Sequence, residues 1–178
     1  MRVDAIARIA VARRILLRPA RPAPAGPRVR VAVWLTVAGS LVYVGQKVYM
    51  AARGEVGMPG HPAPAQVQAQ FAHPGLAQAG NASLGLLAVL VAWATLARWG
   101  ARIPRWALLC ALAPTAVLQS LGGVITIQRT DFDLAHLGWG PVYEAVTSSV
   151  GIAAWVVVAV SYLLRSRPHA GGAAEARP

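Results

Sequence analysis

Lys47 and Glu144 are the two ionisable side chains that fall within long apolar runs at matching depth. Lys47 stands near the end of one run and Glu144 near the start of another. An ammonium and a carboxylate so placed can form an ion pair, bind a charged ligand or pass a proton. A charge at a bilayer centre costs at least ~2.5–3.5 kcal/mol and less near the interface, so pairing would offset part of the cost. Tyr43, Gln46, Gln78, Asn81 and Gln119 supply hydroxyl and amide groups that can extend the pair into a polar pocket. A second, weaker set is histidine. His73 and His136, with Asp131, Asp133 and Glu55 nearby in the pattern, offer imidazole and carboxylate ligands for zinc or copper, or a bis-His haem pair. No two histidines share helical i,i+3 or i,i+4 spacing and there is no CxxC. No metal and no cofactor is therefore expected. A nucleophile–base–acid triad and a Gly-rich phosphate loop are both missing from the pattern, so a non-enzymatic role is expected. The single cysteine, Cys110, rules out an intrachain disulfide.

The elements that must position these groups are four apolar runs, at 31–52, 76–98, 106–128 and 142–164. Each is long enough to cross a hydrocarbon core, which takes about 20 helical residues. At 56% hydrophobic residues, the 178-residue chain leaves no room for a large water-soluble domain. Three segments are expected: a basic, Pro-rich stretch at 1–28, a four-span domain at 29–165 and a disordered tail at 166–178. The fold class predicted is an all-α membrane protein, an antiparallel four-helix transmembrane bundle.

Charge distribution orients it. The net charge of +11 comes from 17 Lys and Arg against 6 Asp and Glu. Fourteen of the 17 lie before the first run, between runs two and three, or after run four; only Lys47, Arg53 and Arg129 lie on the other side. The positive-inside rule places both termini and the middle loop in the cytoplasm of a bacterial inner (plasma) membrane. The same arginines would attract anionic headgroups on that face. Nucleic acid is not an expected partner, because no aromatic-basic recognition module accompanies the charge. A second copy of the chain or another membrane protein is.

Stripes of small and polar residues recur along each run: Thr36, Ser40, Tyr43 and Lys47; Gln78, Ala82, Gly85, Ala88 and Ala92; Thr115, Gln119, Gly122 and Thr126; Glu144, Ser148, Gly151, Trp155 and Tyr162. Small side chains let backbones approach and polar ones seek partners across helices, so these faces are predicted to point inward. Pro114, mid-run, removes a donor and predicts a kink near Cys110. Residues 65–71 predict one or two helical turns at the outer interface.

The span arrangement, the Trp99-Gly-Ala-Arg-Ile-Pro-Arg-Trp106 hairpin and the Trp139-Gly-Pro141 entry into the last run resemble a family of small four-span bacterial membrane proteins of unknown function. The resemblance covers roughly 31–165. It implies the topology and supplies no catalytic residue. The function expected from the sequence is an interaction, accessory or sensing component with an outward-facing polar pocket. A small oligomeric transporter or channel subunit is the first alternative, and a membrane haem or metal redox protein the second.

Overall fold

The computed structural model describes residue 19 and residues 21–129 and 139–167. The protein is mostly helical, and among the described residues four helices are long and apolar enough to cross a membrane. They are α1 (Pro27–Arg53), α3 (Pro74–Ala94), α4 (Arg105–Arg129) and α5 (Trp139–Arg165). Between α1 and α3 lie a hairpin of β1 (Gly57–Met58) and β2 (His61–Pro62) and a single turn of helix, α2 (Ala65–Gln68).

Proline and glycine set the ends. Pro27 and Pro74 each occupy the first turn of their helix, where a missing N–H costs nothing. Gly54 ends α1 in the left-handed conformation (φ 67°), its N–H returning to Ala51 O at 3.1 Å. The second apolar run was expected to stay helical to residue 98, but α3 stops at Ala94. The Thr95 hydroxyl donates to Ala92 O at 2.7 Å, and a 3-10 turn at Gly100–Arg102 folds back until Gly100 meets the Ala94 carbonyl. A Cβ at residue 100 would overlap that carbonyl, so the close turn needs glycine.

Helix α1 packs against α3 and α5, and α4 packs against α5 and less extensively against α3. The buried face of α1 runs through Val33, Thr36, Val37, Ser40, Lys47 and Met50. That of α3 runs through Gln78, Ala82, Gly85, Ala88 and Ala92. Both match the predicted stripes. A Cβ added to Gly75 would lie 2.8 Å from Ala51 O, and one added to Gly85 would lie 2.7 Å from Val44 Cγ2 and 3.1 Å from the Tyr43 ring. These glycines let the two backbones touch. On α5, Ala154, Trp155, Val158 and Tyr162 are buried.

Helix α4 departs from its predicted face. The buried row is Leu108, Leu112 and Ala116; Thr115 and Gln119 are half-buried, and Gly122 is exposed. The Thr126 side chain lies outside the described residues. The Thr115 hydroxyl donates to Ala111 O of its own helix at 2.7 Å, as that of buried Thr36 does to Ala32 O at 2.9 Å. The leucines join Trp155, Val158 and Tyr162 in one apolar cluster. Pro114 is exposed and α4 runs through it as helix. Outside the core stands a belt of exposed apolar side chains, among them Trp34, Leu41, Leu86, Leu118 and Val157. Such a surface is stable in lipid and not in water.

Candidate functional site

The end opposite the chain termini's arginines is built by α1, α3 and the hairpin. Lys47 is only 9% exposed, and its Nζ donates to Gly57 O at 2.8 Å. The ammonium also lies 5.3 Å from the centroid of the Tyr43 ring, one helical turn below. Tyr43 in turn lies against Gly85 of α3. The crossings Gly75–Ala51 and Gly85–Tyr43 bracket Lys47, which puts it at the level of Gln78 to Ala82. Gln78 is 1% exposed, and its Oε1 has no hydrogen-bond partner among the described residues. A buried carboxamide acceptor left unused is rare, since most buried polar atoms are satisfied.

Gln68 locks the hairpin over this end. Val56 N–H donates to its Oε1 at 2.8 Å, and its Nε2 donates to Val56 O at 3.0 Å and Ala63 O at 3.3 Å. At the rim Arg53 Nε and Nη2 meet the two oxygens of Glu55 at 3.3 and 3.2 Å, and Nη1 donates to Tyr49 Oη at 3.4 Å. Both partners of this ion pair face solvent, so it adds little stability. A shallow depression of about 250 Å³ opens between Tyr49, Met50, Arg53 and Met58.

Tyr43 and Lys47 therefore lie together, and Gln78 is buried on α3 at about their level. Gln46 and Asn81 are half-buried on the same two helices, and Gln119 is half-buried on α4. Glu144 belongs to α5, but its side chain, and with it the pairing with Lys47, lies outside the described residues. His136, Asp131 and Asp133 lie outside them too. His73 is exposed at the start of α3. Among the described residues no three His, Cys, Asp or Glu side chains come together. Cys110 is exposed on the outer surface of α4.

Sequence reasoning missed a second polar cluster, at the arginine-rich end. Arg165 Nη1 donates to Ala23 O at 2.9 Å and Nη2 to Thr95 O at 3.3 Å, while Ala23 N–H donates to Arg165 O at 3.0 Å. One residue thus ties α5 to the end of α3 and to the chain entering α1. Pro19 pairs with Pro104 in a short antiparallel bridge, and residues 21–26 lie across this end as a strap. Arg105 Nε donates to Ser166 Oγ at 3.1 Å. Tyr162 is 0% exposed, and its hydroxyl and Arg165 Nε have no partner among the described residues. The available signal was the i,i+3 spacing of Tyr162 and Arg165, which puts both on one helix face. Comparison of the chain with protein-family models, curated proteins and solved structures finds no match.

Proposed function

We propose that this is a multi-pass protein of a bacterial plasma membrane, an antiparallel four-helix bundle with both termini in the cytoplasm. It acts as a non-enzymatic interaction, accessory or sensing component through the polar pocket at its outer end. One observation carries the functional reading: a buried ammonium and a buried carboxamide with an unused acceptor sit at one end of an otherwise apolar belt. Polar groups at membrane depth are expensive, and those not consumed by packing mark sites of binding.

The order of contacts supports the antiparallel arrangement. Ala51 meets Gly75 and Tyr43 meets Gly85, so α1 descends as α3 ascends. Arg105 meets Ser166 and Gly123 meets Ile152, so α4 and α5 do the same. The bias of fourteen basic residues to three supports the orientation.

Thiol labelling tests the topology. In a Cys110→Ala background, Ala69→Cys is expected to react with a membrane-impermeant maleimide in intact cells. Ala101→Cys and Ala176→Cys are expected to react only after lysis, and the reverse pattern would overturn the orientation. For the pocket, a photocrosslinker at Met58 is expected to give a discrete adduct that Lys47→Met abolishes. Absence of any Lys47-dependent adduct counts against the pocket, and Lys47-dependent solute flux in proteoliposomes would replace it with a transport role.

A further inference from the structure

We infer that the arginine-rich end carries an anion-binding site for a phosphate group, built by Arg165, Arg105 and Tyr162 and covered by the strap at residues 21–26. The inference rests on the proposed topology, which puts this end at the headgroups of the cytoplasmic leaflet.

The first support is uncompensated charge. Arg105 and Arg165 are each half-buried, and among the described residues their hydrogen bonds go to neutral acceptors: Ala23 O, Thr95 O and Ser166 Oγ. The one carboxylate side chain among the described residues is Glu55, which pairs with Arg53 at the opposite end. A guanidinium bonds far more strongly to phosphate or carboxylate than to an amide carbonyl, and its planar fork suits two anionic oxygens at once.

The second support is a pair of buried donors. The Tyr162 hydroxyl is fully buried and unpartnered among the described residues, one helical turn before Arg165. A hydroxyl and the Arg165 Nε–H left without acceptors beside two cations are donors waiting for an anion. Arg105 reaches Ser166, the neighbour of Arg165, and Tyr162 lies one turn before Arg165 on the same face, so the three donor groups share this end of α4 and α5.

The third is location. Trp99 and Trp106 are exposed at this end, where indole rings sit at headgroup level. The Ala23 carbonyl occupies one guanidinium nitrogen, so the strap must yield when phosphate binds. The shared chemistry admits two sources, the phosphodiester of an anionic lipid or free phosphate.

The test uses the full-length protein in zwitterionic detergent, with phosphatidylglycerol, phosphatidylcholine of the same acyl chains, or inorganic phosphate added. Phosphatidylglycerol is expected to raise Tm by several degrees and phosphatidylcholine is not. Lipid affinity is expected to fall at least tenfold in Arg165→Gln and severalfold in Arg105→Gln and Tyr162→Phe. The last removes one oxygen from a buried ring and keeps the fold. Arg98→Gln and Arg102→Gln remove equal charge from exposed positions at the same end and should leave affinity within twofold. If inorganic phosphate alone reproduces the protection with the same dependence on residues, the site stands and its ligand is soluble. Equal losses in the four arginine variants, with none in Tyr162→Phe, would mean diffuse attraction and overturn the site. So would protection lost on Asp4→Asn or Glu175→Gln without any lipid dependence, because the chain would then supply its own anion. The thiol labelling pattern is independent of these variants, so a failed site and a failed topology are told apart.

Discussion

Gln78 separates a packing role from a binding role. Its Oε1 is buried and unsatisfied, which costs about 1–3 kcal/mol relative to a bonded acceptor. Gln78→Leu fills the same space without the polar atom, so it is expected to hold or raise Tm in detergent. Gln78→Ala opens a cavity and is expected to lower it. A drop in Gln78→Leu as large as in Gln78→Ala would mean that Oε1 has an acceptor-seeking partner in the membrane. Lys47 was legible in the sequence because a lone ammonium in an apolar run has few explanations. Its bond to the Gly57 carbonyl was not, since that is a backbone group that the hairpin brings to 2.8 Å. Arg165 was hidden for a different reason. In the sequence it counts as one more cytoplasmic charge, and its grip on Ala23 and Thr95 spans 142 and 70 residues.

Helix–helix approach at the level of elements depends on a few glycines, and they are not equivalent. Gly100 lies so close to the Ala94 carbonyl that any Cβ must displace backbone. Gly100→Ala is expected to cost about 1–3 kcal/mol, the usual range for forcing atoms into a packed site. Gly39, in mid-α1, has open space around its would-be Cβ. Gly39→Ala is therefore expected to be neutral or to stabilise by up to about 1 kcal/mol through helix propensity. Thermal unfolding of both variants in one detergent checks the contrast, and equal effects would refute the packing at residues 94–100. The spans and the inward faces of α1 and α3 were legible because lipid rewards an all-apolar exterior, leaving small and polar residues only one place to go. The face of α4 was not legible, because large apolar side chains, Leu108 and Leu112, fill the interior there, and in the sequence they look the same as the leucines that face lipid. The hairpin over Lys47 was equally invisible: Gly and Pro announced breaks between residues 54 and 64 but not the pairing of Gly57 with Pro62.

For the whole molecule, orientation is a competition between charges on opposite sides of four helices. The helices themselves fit either way up: α3, at 21 residues, spans about 31 Å at 1.5 Å per residue, close to the hydrocarbon thickness of about 30 Å. Nothing apolar distinguishes its ends, so the arginines must decide. Changing Arg98, Arg102 and Arg105 to Gln leaves eleven basic residues on the proposed cytoplasmic side against three outside. Orientation is expected to hold, with thiol labelling unchanged. Changing the eight arginines before α1 and in its first turn as well leaves three on each side. A mixed population is then expected, with Ala69→Cys labelled in only part of the intact-cell pool. Adding arginines to the 59–72 loop in that background should invert the remainder, since bias near span ends governs insertion. Uniform labelling through the whole series would mean that something other than arginine placement holds the bundle upright, and the assignment of the Lys47 end to the outside would lose its basis.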